Sequence, residues 1–252
     1  MSLIESSAGS NTLSNSSVLT IDVDWAPDWM IESVTKVLMA NGVKSTWFVT
    51  HKSPAIMAMC DRDDLFEIGI HPNCLAGSDH GSSEDEVLTY LKGCFPDAVS
   101  MRTHCLYQTT PFLERATAEY GIEFDVSLFL PRTPNISHHW IRRHGTALCR
   151  IPFVWADDNE MFQKDPIWTL DDDRLCIEGL RVFSFHPVHL VLNAPTFDIY
   201  EKVKSLRDVQ HWDPEFVEPH LRGGLGPKRI FEELIEQLSK SGSQFIKELV
   251  LE

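Results

Sequence analysis

The 252-residue chain has no run approaching the roughly 20 consecutive apolar residues that a membrane span needs. It also lacks positive charge: 22 Lys and Arg stand against 37 Asp and Glu, a formal net charge of −15. That balance argues against a nucleic-acid or anionic-membrane surface, because both need a positive footprint. The 6 cysteines are scattered without C-x-x-C spacing and read as reduced, mostly buried thiols. No G-x-S-x-G is present and no Cys has an evident paired base, so a nucleophilic triad has little support. The glycine-rich "RGGLGPK" (222–228) lacks phosphate-loop spacing and reads as a turn. The opening "MSLIESSAGSNTLSNSS" has neither a positive n-region nor an apolar h-region. Residues 1–17 therefore read as a disordered lead-in, with the cytoplasm as the expected compartment.

What is present is a regular alternation of strand-like and helix-like segments. Strands are expected at 18–24, 45–50, 65–71, 98–102, 123–130, 147–155 and 180–187. Helices are expected at 29–42, 54–60, 83–95, 111–121, 196–209 and 227–242, several with Pro at the start, Gly at the end or a Ser83-to-Glu86 capping box. Such alternation favours one α/β domain, residues 18–252, built on a parallel sheet or barrel. Residues 131–146 and 156–178 read as long loops that could wall a site.

Several strands end in reactive residues: Asp22 and Asp24, His71, Arg102, and His186. In parallel sheets and barrels the carboxyl ends of the strands converge on one rim, where sites are built. Asp22 and Asp24 lie two apart, so on a strand they face one space, and two carboxylates that close call for water or a cation. The alternative is a helix cap, a task for which Asp28 is better placed. His71 precedes the loop "PNCLAGSDHG", which brings His80 along; His with Asp suits zinc and similar ions. Arg102 could orient a carboxylate, bind substrate oxygens or form a surface ion pair, and His104 shares its face. His189 follows His186 by three.

In the order and strand-end placement of these motifs, residues 18–192 resemble the polysaccharide deacetylases of the NodB-homology group, carbohydrate esterase family 4. "LTIDVD" matches a variant of that family's first motif, which implies Asp22 as catalytic base and Asp24 as metal ligand. His71 matches the first imidazole of the second motif, but Leu75 stands where the second is expected. "HPNCLAGSDHG" is similar to a divergent, WbmS-like branch, which makes His80 the replacement ligand and Asn73 a lining residue. "MRTH" places Arg102 beside the base, with His104 where the family has Pro. "PFVWADD" is a loose match to the fourth motif through Trp155, Asp157 and Asp158, and "FSFHP" makes His186 the general acid. The resemblance implies a distorted (β/α) barrel of about seven strands.

It also implies a metal-dependent hydrolase that removes an N-acetyl group from an amino sugar, whether polymeric, nucleotide-linked or lipid-linked. Zinc would be held by Asp24, His71 and His80, with Trp155 and Trp25 as sugar-stacking walls. Two alternatives stay open: a metal hydrolase of another bond, such as an O-acetyl ester or cyclic amide, and a non-catalytic, glycan-binding degenerate barrel.

Overall fold

A computed structural model of the chain describes residues 16–249. Residues 1–15 of the expected lead-in lie outside the described residues, and Ser17 already belongs to the first strand. The strands are β1 (Ser17–Asp22), β2 (Ser45–Val49), β3 (Phe66–Ile70), β4 (Ser100–Met101), β5 (Phe124–Asp125), β6 (His139–Arg143), β7 (Thr146–Arg150), β8 (Trp155–Ala156) and β9 (Arg181–Phe185). They form one curled sheet in the order β6-β7-β5-β4-β3-β2-β1-β9-β8, parallel throughout except for the β6–β7 hairpin. The expected α/β class therefore holds with nine strands rather than seven. Residues 139–143, read as loop, pair as a hairpin strand, and 147–155 breaks into β7 and β8 around Pro152, which has no N–H for a ladder.

The helices are α1 (Asp28–Asn41), α2 (Pro54–Cys60), α3 (Glu84–Cys94), α4 (Thr110–Ala118), α5 (Asp157–Met161), α6 (Pro187–Leu192), α7 (Phe197–Lys204), α8 (Pro214–Val217) and α9 (Pro227–Ser241). Their boundaries follow local chemistry. Gly42 ends α1 in the left-handed conformation at φ 62°, where a side chain would be strained. Ser83 Oγ accepts from the Glu86 N–H, while the Glu86 carboxylate takes both the N–H and the hydroxyl of Ser82. The capping box is thus half formed. Asp28 does not cap α1: it lies inside the first turn and accepts from the Ala55 N–H at the start of α2.

The central strands β1, β2 and β9 are buried along nearly their whole length, as expected of parallel strands covered on both faces. Leu19, Ile21, Trp47, Phe183 and Phe185 anchor the core. The cysteines depart from expectation: all six are free, but only Cys149 is buried. With these strands parallel, the ends of β1, β3, β4 and β9 open on the same rim.

Candidate functional site

Each strand end contributes one side chain to this rim. Asp22 closes β1. Its Oδ1 accepts from Arg102 Nη1 at 2.9 Å and its Oδ2 from the Ser184 hydroxyl at 3.2 Å, which itself accepts from Arg102 at 2.8 Å. Arg102 is buried, held by the Val126 carbonyl and lying over the rings of Phe48 and Phe153 at 4.7 and 4.4 Å. A guanidinium packed against two rings aims Nη1 at one oxygen of Asp22, and with Ser184 on the other oxygen the carboxylate is held in one orientation. Ser184 was not singled out in the sequence, although it lies two residues before His186 on β9 and so shares its face.

Asp24 lies past the end of β1, in a turn where Asp24 and Trp25 both adopt left-handed backbone, φ 45° and 56°. For a tryptophan that conformation is an outlier, of the kind retained where the surroundings enforce it. The turn carries the Asp24 carboxylate onto two imidazoles. Its Oδ1 is 3.1 Å from His71 Nε2 and 3.1 Å from His104 Nδ1, and the two nitrogens are 3.3 Å apart. Burial would raise the Asp24 pKa, but hydrogen bonds from His104 and His71 and the charge of His186 hold it well below the usual carboxylate range.

His104, which the sequence offered only as a neighbour of Arg102, thus takes the place expected of His80. Its backbone N–H donates to the Pro72 carbonyl at 2.9 Å, tying it to the end of the β3 strand. Left-handed Cys105 and Leu106 then turn the chain away. His80 is outside the cluster. Its Nδ1 accepts from the Asn73 N–H, its ring stacks on Tyr90, and it lies 5.6 Å from the Trp25 ring. Burial lowers its pKa, and its Nδ1 contact ties it to the start of the 73–81 loop. Trp25 in turn packs edge-on against His104 and donates to Asp79. Asn73 and Trp25 line an adjoining cleft. Trp155 is no wall: it is fully buried among Trp168, Phe183 and Phe185.

His186 ends β9 with Nε2 3.7 Å from Asp24 Oδ2 and 3.9 Å from Asp22 Oδ2. Behind it, Asp157 accepts from His186 Nδ1 at 2.6 Å and from the His186 backbone N–H at 2.8 Å. Burial alone would lower the His186 pKa; the charge and hydrogen bond of Asp157, with Asp24 and Asp158, raise it well above the ordinary value. His189 Nδ1 approaches the same Asp157 oxygen at 3.2 Å.

The Asp24–His71–His104 group fits a metal ion. Zinc bound tetrahedrally at roughly 2.0–2.1 Å sets neighbouring ligand atoms about 3.3–3.4 Å apart, close to the nearly equilateral 3.1, 3.1 and 3.3 Å found here. Without a cation the triangle is awkward: protons on both nitrogens face each other, and lone pairs on both leave the carboxylate unmatched. Asp157, His186 and His189 also lie within ligand distance of one another, but the 2.6 Å contact is that of a charge-assisted hydrogen bond.

A cleft of about 350 Å³ opens over the triangle, lined by Asp22, Asp24, His71, His104 and His186 and, on its far side, by Tyr200 among others. A family model described as WbmS-like polysaccharide deacetylase matches residues 19–204. A Bordetella bronchiseptica protein, provisionally described as a polysaccharide deacetylase involved in O-antigen biosynthesis, has a similar solved structure. It is 27% identical, with a TM-score of 0.75 over 88% of this chain and 90% of that one. No curated protein sequence matches the chain significantly.

Proposed function

The chain belongs to the WbmS-like polysaccharide deacetylases, and from that membership we propose that it is a metal-dependent hydrolase removing an N-acetyl group from an amino sugar. The observation that carries the metal dependence is the triangle of Asp24 Oδ1, His71 Nε2 and His104 Nδ1. These three residues would hold the ion, in place of the set with His80. A divalent ion bound there supplies Lewis acidity, polarising an acyl carbonyl and making water acidic enough to attack near neutral pH.

The remaining chemistry falls to the side chains. Asp22, fixed by Arg102 and Ser184, faces the space above the triangle and accepts the proton of the attacking water. His186 lies on the same side of Asp22 and Asp24, with Asp157 keeping it protonated, so Nε2 can give a proton to the departing nitrogen. An amine leaving group needs that proton, which is why an amide suits this site better than an ester. The buried walls around Arg102 keep bulk water off the carboxylate that must act as base.

The test is hydrolysis of a panel of N-acetyl sugars, O-acetyl sugars and cyclic amides, read as acetate release from the first two and as ring opening of the third. Wild type should release acetate from N-acetyl substrates and lose this on chelation. Asp22→Asn should keep the metal while turnover falls by ~10²–10⁴-fold, the usual worth of a general base. Hydrolysis confined to O-acetyl esters or cyclic amides, or none by metal-loaded protein, would overturn the proposal.

A further inference from the structure

One wall of the cleft has no part in the chemistry so far. Helix α7 is eight residues long, and Phe197, Tyr200 and Lys204 all line the cleft. Their i, i+3, i+7 spacing puts them on one helical face. At 1.5 Å per residue, Phe197 and Lys204 are separated by ~10 Å along the axis. The two ends of this stripe differ in chemistry. At the first, Phe197 stacks on Phe162 with ring centres 4.1 Å apart, and Phe162 stays 63% exposed at the cleft mouth. At the other, Lys204 has its ammonium 5.5 Å from the Tyr200 ring.

Lys204 is the one lysine or arginine among the described residues lining this cleft, and it also borders the adjoining cleft of Trp25 and Asn73. It is exposed, and among the described residues no carboxylate pairs with it; Arg207, three residues on, pairs with Asp213. The rest of the lining carries three carboxylates, Asp22, Asp24 and Asp158, with imidazoles at the floor and otherwise apolar or uncharged polar side chains. In a chain of net charge −15, an unpaired ammonium at the mouth of a carboxylate-lined cleft is a specific attractor for negative charge.

We propose that helix α7 is the recognition wall for an acetylated sugar that carries an anionic group: the Phe162–Phe197 pair takes the apolar face of a sugar ring, and Lys204 takes a carboxylate or phosphate on, or joined to, that sugar. This rests on the deacetylase reading and narrows its substrate class. Carboxylate and phosphate share the chemistry that Lys204 offers, a compact cation with three donors.

Binding is measured by calorimetry on zinc-loaded Asp22→Asn protein, whose lowered turnover leaves the probes intact over a titration. The probes are N-acetylglucosamine, its 1-phosphate, and N-acetylmuramic acid as the carboxylate. At least one anionic probe should bind ~10-fold more tightly than the neutral sugar, the scale of one charge-assisted contact; which one identifies the source. Adding Lys204→Met should bring that probe within about twofold of the neutral sugar, whose affinity stays unchanged, whereas Lys204→Arg should keep the preference. Phe162→Ala should weaken all three alike. No anionic preference in the Lys204 protein, or a preference that survives Lys204→Met, overturns the inference. Acetate release by wild type, followed separately, tells the two readings apart: lost preference with release intact removes only this inference, and intact preference with no release removes only the deacetylase.

Discussion

His104 and His80 divide at the residue scale what the sequence had assigned to one of them. His104 Nδ1 completes the triangle with Asp24 and His71, whereas His80 turns its Nδ1 to a backbone N–H. Zinc affinity measured by competition with a chelating dye should therefore fall more in His104→Ala than the ~10–100-fold typical of losing a supporting group. His80→Ala should stay within that range. A second prediction concerns Asp157, which raises the His186 pKa. Because the folded value lies above the unfolded 6.5, the pair's contribution to stability is complete below about pH 6.5. It is lost as pH rises through the folded value, and the acid needed for turnover is lost over the same range. Asp157→Asn should move that alkaline limb down toward 6.5, read by NMR titration of His186 in the metal-free protein. An unmoved limb would remove Asp157 from this role. Asp22, Asp24, His71, Arg102 and His186 were legible as candidate site residues that would be brought together, because each ends or follows a strand. His104 was not, because its placement depends on the Pro72 carbonyl and two left-handed residues that no periodicity encodes.

At the scale of elements, the strands carrying these residues are held in register with little tolerance. Gly69 in β3 sits against β2 and β4 so closely that a Cβ would lie 2.6 Å from Ser100 Oγ and 2.9 Å from Phe48 Cδ1. Gly69→Ala should therefore destabilise by ~1–3 kcal/mol, the usual cost of overpacking, seen as a lower Tm. On the same face of the strand, two residues earlier, buried Glu67 accepts from Thr46, Ser100 and the Lys247 N–H, fastening the C-terminal turn to the sheet. Burial raises the Glu67 pKa, so the folded state binds the proton more tightly than the unfolded chain. Stability from this group is then greatest below about pH 4.5 and declines as pH rises through the folded value. The stability of Glu67→Gln relative to wild type, from denaturant melts, should improve with rising pH over that window. A pH-independent difference would contradict this. Helices α1 to α4, α7 and α9 were legible from their Pro, Gly and Ser punctuation, whereas α5, α6 and α8, of four to six residues, are too short to show a period and were not expected. The hairpin of β6 and β7 was not legible, because its exposed strand, His139–Arg143, carries no inward-facing apolar alternation.

Across the whole molecule, a parallel sheet brings side chains up to 164 residues apart in sequence, Asp22 and His186, within 3.9 Å. Four strand ends meeting on one rim is the feature that sequence order already implied, and the curled sheet realises it with nine strands. Three carboxylates, Asp22, Asp24 and Asp158, line one cleft, and a fourth, Asp157, lies behind His186. In a chain of net charge −15, nothing distant offsets them; the compensation is local, from Arg102, protonated His186 and the cation the triangle fits. That local compensation is what the account depends on. The most direct test is acetate release from an N-acetyl sugar as zinc is added stepwise to chelator-stripped wild type. Activity should be absent at the start, rise with zinc, and level off at one equivalent. Full release without metal, or saturation unchanged in His104→Ala, would contradict it.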